Sequence, residues 1–174
     1  MKKLSLFVLL ITIFLSACKK DAVTSAYDTS LSKFQSFNKS AKKGYTYTAV
    51  RSYFAWIHSR VETKITVVNG AITARDYVAY NYVSTPGVDT LIQTVAEQWH
   101  EEGAALNSHD NTWFLTLDQV YTTAKKDWLS VDPKKNDISF ETNNNGMISS
   151  AGYVPKGCVD DCFFGINISS ITAL

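Results

Sequence analysis

The 174-residue chain is expected to fold as one α+β domain, a mainly antiparallel sheet with two helices in the order α-βββ(β)-α-βββ. Three observations carry that expectation. Apolar and polar residues alternate over Tyr45–Ala49 and again over Val61–Val67, Asn69-Gly70 supplies a two-residue hairpin turn, and Thr116-Leu-Asp-Gln119 opens a segment with helical periodicity.

The elements follow in order. Leu31, Phe34 and Phe37, with Ser and Lys between them, predict a short amphipathic helix that Gly44 stops. Tyr45, Tyr47 and Ala49 then alternate with threonines, and Tyr53-Phe54-Ala55-Trp56 prolongs the segment. Val61, Thr63, Ile65 and Val67 alternate with Glu62, Lys64 and Thr66, as a half-buried strand requires. Beyond Asn69-Gly70 the chain should return as a partner strand over Ala71–Val83, completing a three-stranded meander.

Pro86-Gly87 marks a further turn. Thr90 to Val95 fits a strand, followed by an irregular excursion through Trp99–Thr112; a helix over Leu91–Leu106 is the alternative. Thr116 and Gln119 form a capping box, and Leu117, Val120, Tyr121, Ala124, Trp128 and Leu129 fall on one helical face. Lys125 and Lys126 lie near the negative end of that helix. After Pro133, strands are expected near Asp137–Thr142, Met147–Val154 and Phe164–Ile171, the first two joined by an Asn143–Gly146 turn.

The N-terminus obeys a different logic. Lys2-Lys3, an apolar run from Leu4 to Leu15, and Leu15-Ser16-Ala17-Cys18 follow the charge–apolar–small order of a secretory signal. With a cysteine closing the small-residue motif, the segment resembles a bacterial lipoprotein signal. That resemblance implies cleavage after residue 17 and lipidation of Cys18, palmitate included, so that Cys18 becomes the mature N-terminus. A generic signal with an incidental Cys18 is the alternative. The division is then a signal peptide over 1–17, a lipidated N-terminus and flexible tether over 18–30, and one domain over 31–174. Lys19-Lys20-Asp21 places no Asp next to Cys18, the residue tied to inner-membrane retention, which favours the outer membrane within a bacterial cell envelope.

Loss of Lys2 and Lys3 turns the net charge of +1 into −1, with 15 basic against 16 acidic side chains. No basic stripe remains to meet a nucleic acid. Apolar residues at 45% exclude a wholly disordered chain. With Cys18 assigned to lipid, Cys158 and Cys162 form the remaining pair, and export makes a disulfide the first reading, with free thiols or a redox or metal role as alternatives.

Chemistry-bearing motifs are sparse. His100-Glu-Glu-Gly-Ala104 begins like H-E-x-x-H but lacks the second histidine, which leaves a looser His100/Glu102/His109 metal site or a polar loop. Glu141–Gly146 is a poor start to a calcium loop and a good turn. Asp160-Asp161 between the cysteines could face a cation. His58 stands alone, and no nucleophile elbow or phosphate-cradling glycine loop is present. The aromatics at 45, 47, 53, 54, 56, 77, 80 and 82 read as sheet core, or, for Tyr53, Trp56, Tyr80 and Tyr82, as a binding surface.

Tyr45-Thr-Tyr47, Thr66-Val-Val-Asn-Gly70, Thr116-Leu-Asp-Gln-Val-Tyr121 and Asn143–Tyr153 together resemble small secreted bacterial domains grouped as a family of unknown function. The resemblance spans most of residues 31–174 and brings no catalytic residues with it. The expectation is a non-enzymatic binding or structural domain, membrane-held through Cys18, needing no cofactor and meeting an envelope protein or glycan. A hydrolase using His100, Glu102 and His109 is the alternative.

Overall fold

A computed structural model describes residues 22–53, 59–83, 92–109 and 113–174. Helix α1 covers residues 22–40, and Tyr27, Ser30 and Phe34 are buried along it at intervals of three and four, with Ala41 buried just past its end. That spacing is one helical stripe. The helix therefore begins inside the expected tether: from residue 22 the polar stretch is the first half of α1, held because Tyr27 and Ser30 face the core. The stop is as expected. The helix ends at residue 40, and Gly44 takes φ +108° where any Cβ would run into the Val67 carbonyl.

The strands are β1 (Tyr45–Tyr53), β2 (Ser59–Val68), β3 (Ala71–Val83), β4 (Ile92–Glu102), β5 (Asn136–Glu141), β6 (Ser150–Pro155) and β7 (Phe164–Ala173). They form one seven-stranded sheet, ordered β4-β3-β2-β1-β7-β6-β5, with every pairing antiparallel. The α+β fold and its element order are as the sequence indicates. The chain runs outward through β1–β4, crosses to the far edge, and returns so that β7 seals the two halves along β1.

The β2–β3 turn has φ 50° at Asn69 and 76° at Gly70, both positive as a primed hairpin turn demands. Asn145 (φ 53°) and Gly146 (φ 82°) do the same work before β6. There the Asn144 amide also donates to the Ile148 and Ile168 carbonyls, so the Glu141–Gly146 segment is a turn clipped to β7. The strand expected from Met147 begins only at Ser150, because Met147 and Ile148 turn inward as core.

Helix α2 (Leu117–Thr123) starts at the expected capping box. The Gln119 amide N–H donates to Thr116 Oγ1 at 3.3 Å, and the Thr116 N–H donates to Gln119 Oε1 at 2.8 Å. It continues as a π-helical turn over Ala124–Trp128.

Both helices cover one sheet face. Phe34 stacks on Tyr121 at 5.2 Å and meets Tyr45 edge-on at 6.0 Å. Tyr121 ties three elements together: its hydroxyl lies 2.7 Å from Ser30 Oγ and accepts from the Ile148 N–H at 3.0 Å. The Leu117 N–H donates to the Tyr45 hydroxyl, and Tyr47 donates to the Leu115 carbonyl at 2.6 Å. Burial pushes the Tyr45 hydroxyl up to about 12 and raises that of Tyr47 further, so both remain protonated hydrogen-bonding groups. Tyr45 and Tyr47 are thus core, as one of the two readings of the aromatics held.

Candidate functional site

The register carries the core face outward from the helices. Tyr47 pairs with Ile65, Ile65 with Arg75, and Arg75 with Glu101. One inward-facing row therefore begins with apolar side chains and ends with two charges. Arg75 is 1% and Glu101 0% exposed.

Burying this pair without partners would be costly, and the surroundings supply them. Arg75 Nη2 donates to Glu101 Oε2 at 2.9 Å and its Nε at 3.1 Å, while another bond from Nη2 goes to the His109 carbonyl. Residues 107–109 close over the carboxylate. The Asn107 N–H donates to Oε2 at 2.9 Å, and Oε1 accepts from the His109 N–H at 2.5 Å, from His109 Nδ1 at 2.8 Å and from Ser108 Oγ at 3.3 Å. The donors exceed the roughly four lone-pair sites of a carboxylate. Burial works to raise the Glu101 pKa, but the His109, Asn107 and Arg75 hydrogen bonds outweigh it and hold the carboxyl at about 2.

Rings enclose the cation. The Arg75 guanidinium lies 4.8 Å from the Trp99 ring and 5.5 Å from Phe114. Trp99 is itself the middle of a stack, with Tyr77 at 4.7 Å and His109 at 4.3 Å, the planes within 5° of parallel. Loop 103–109 leaves β4 through a 3-10 turn at Gly103–Ala105, and Gly103 and Asn107 adopt positive φ so that the chain can fold back onto the sheet.

Trp99–Glu102, expected in an irregular excursion, is the last third of β4, paired with Ala74–Tyr77. An extra residue at the Ala79/Tyr80 bulge shifts the parity of the strand, which hides the inward row from a simple alternation count. A signal was nevertheless present: Arg75 and Tyr77 two apart on one strand, Trp99 and Glu101 two apart on the next.

The strand splits the proposed His100/Glu102/His109 set. His100 and Glu102 lie on the outer face, His100 Nδ1 2.7 Å from Asp76 Oδ1 and Nε2 3.5 Å from Glu102. The Asp76 hydrogen bond, with Glu102 adding to it, raises the pKa of His100. His109 is engaged with Glu101 on the inner face. The three do not converge, and among the described residues no group of three His, Cys, Asp or Glu is placed to hold a metal. Asp160 and Asp161 are exposed, with the Asp161 N–H bonded to Asp160 Oδ1.

Tyr53, Tyr80 and Tyr82 do not form one surface. Tyr53 shares the inner face with Tyr45, whereas Tyr80 and Tyr82 sit on the opposite one, and all three are half-buried. Trp56, His58 and Cys18 lie outside the described residues. Cys158 and Cys162 come within disulfide reach, their Cα atoms 6.3 Å apart.

An open groove of about 620 Å³ lies beside α1. Phe37, Met147 and Ile171 form its apolar floor, and Ser32, Ser36, Lys33 and Asn145 rim it. Ser32 and Ser36 donate to carbonyls one turn back in α1, which leaves their oxygens free to accept.

No family model matches the chain, and neither the curated proteins nor the solved structures supply a match.

Proposed function

We propose that the chain is a lipid-anchored protein of the bacterial cell envelope, on the outer membrane, whose domain is a non-enzymatic binding module. The anchor reading is supported by Leu15-Ser16-Ala17-Cys18 closing a basic–apolar leader. The observation that carries binding is the α1 groove: an apolar floor rimmed by two serines, an amide and one cation suits a polar ligand with an apolar face, such as a glycan or a protein segment. The Arg75–Glu101 network has the opposite character. Its carboxylate is enclosed and saturated, which suits fixing a loop rather than moving a proton.

Photo-crosslinking in cells tests the reading. A photoreactive residue in place of Ser36 is expected to trap a discrete envelope partner, and Lys33→Glu on the same chain is expected to abolish the product. Crosslinks that survive Lys33→Glu unchanged would remove the groove from the binding role. A clickable palmitate label on the parent chain, absent from Cys18→Ala, tests the anchor separately.

A further inference from the structure

The groove beside α1 is built from stretches of chain without negative charge. Residues 29–44 carry Lys33, Lys39, Lys42 and Lys43 and no Asp or Glu, although the whole chain balances 17 basic against 16 acidic side chains. The turn that forms the opposite wall, residues 143–148, and the floor strand β7 hold no charged side chain. Lys39, Lys42 and Lys43 lie at the end of α1, where the helix dipole accounts for them. Lys33 lies two turns from that end and needs another reason.

Its placement is specific. Thr29, Ser32, Lys33, Ser36 and Phe37 fall at helical spacing on one face of α1 and line the groove. From that face the Lys33 side chain crosses to the turn opposite, over Gly146: a Cβ there would stand 2.6 Å from Lys33 Cδ and 2.9 Å from Nζ. Gly146 thus leaves the lysine its seat. Among the described residues the ammonium makes no ion pair and no hydrogen bond. Ser32 and Ser36 donate to the Asp28 and Ser32 carbonyls at 3.0 Å, so toward the groove they present acceptors. Asn145 is exposed, and its amide has no hydrogen-bond partner among the described residues. Phe37 and Ile171 supply half-buried apolar surface beside them.

We propose that the groove binds an acidic carbohydrate, with a sugar carboxylate on Lys33, ring hydroxyls donating to Ser32 and Ser36, and the C–H face of the ring on Phe37 and Ile171. This rests on the groove reading above and narrows it to one ligand class. A sugar acid holds a charge, several O–H donors and an apolar face within one small unit, and the groove of about 620 Å³ falls in the size range of small-ligand sites. An acidic peptide would also meet Lys33, but an extended peptide binds by pairing its backbone with a sheet edge. Here the near wall is a helix, whose backbone is already bonded, and the floor is β7, a strand paired on both sides by β1 and β6. An inorganic anion would leave the apolar floor unused.

Titration calorimetry on the full chain, in a detergent without a sugar headgroup, tests the class with three probes: trigalacturonate, its fully methyl-esterified form, and a triglutamate peptide. Trigalacturonate is expected to bind roughly tenfold more tightly than either of the others, and to weaken as salt is raised. Lys33→Gln is expected to lower its affinity roughly tenfold, to the level of the ester, and Lys33→Arg to restore most of it. Lys64→Gln, on the outer sheet face opposite Asp76, removes the same charge elsewhere and is expected to change nothing. Carbodiimide coupling, which joins a carboxylate to an amine in contact with it, is expected to place trigalacturonate on Lys33. Equal affinity for acid and ester, tighter binding of triglutamate, or binding that Lys33→Gln leaves unchanged would each overturn the proposal. The Ser36 photo-crosslink separates this failure from that of the groove reading. A partner still trapped when trigalacturonate fails keeps the groove and removes the acidic sugar, whereas no trapped partner and no trigalacturonate binding removes both.

Discussion

The inner face of the sheet is covered in two ways. Over β7, β1 and β2, helices α1 and α2 cover it with Phe34, Tyr121, Leu117 and Val120, all essentially inaccessible. Over β3 and β4, a loop covers it, and the inward row ends in Arg75 and Glu101. A helix brings its own backbone hydrogen bonds and can present a purely apolar stripe. A loop brings backbone N–H groups that need acceptors, and Glu101 supplies them to Asn107 and His109. The charge pair is the element that lets an irregular segment close over a sheet face.

Three predictions probe that contrast, the largest effect first. Glu101→Gln is expected to destabilise by about 3–5 kcal/mol at pH 7, since it leaves the Arg75 cation buried without a counter-charge. Phe34→Ala should cost a similar amount, about 3–5 kcal/mol, through a cavity. The two differ in their pH dependence. The folded pKa of Glu101 is depressed from about 4.5 to about 2, so its stabilisation is present above pH 4.5 and lost as pH falls toward 2. Urea titrations at pH 7 and pH 3 should therefore show the Glu101→Gln deficit shrinking and the Phe34→Ala deficit holding. A constant Glu101→Gln deficit would mean that the loop is not held by the carboxylate charge.

A paired replacement sharpens the comparison. Arg75→Met with Glu101→Leu is expected to be less damaging than either single change, because no unpaired charge remains. Hydrogen exchange should then show amides 107–109 exchanging faster while amides of α2 stay protected. Equal protection of the loop would show that apolar packing by Trp99 and Phe114 is enough to seat it.

Tyr121→Phe is the smallest of the three, about 1–3 kcal/mol, from leaving the Ile148 N–H without its acceptor. Its effect should appear as lower Tm without any change at residues 107–109. Coupling between Tyr121→Phe and Glu101→Gln in a double-mutant cycle would contradict the separation of the two halves.

The elements legible in the sequence are those whose cause is local. The Asn69-Gly70 turn needs two positive φ angles, the Thr116–Gln119 box satisfies its own helix end, and the alternation in β2 follows from the pleat. Tyr27, Leu31, Phe34 and Phe37 also lie at helical spacing, so the early start of α1 was readable. The Ser, Thr and Asp between them nevertheless imitate the composition of a tether. Glu101 was not readable in this way. It stands in a polar run, His100-Glu101-Glu102, where only the face on which the strand lies separates a buried anchor from two exposed neighbours.

The sequence by itself determined the α+β order, the turns and the second helix cap, since each depends on residues within about one turn or one hairpin. Tertiary structure alone decided which charges went inside and that His109 joins Glu101 rather than His100. Those outcomes depend on strand register across β1–β4 and on where β7 returns, contacts between residues far apart in the chain that no local pattern records.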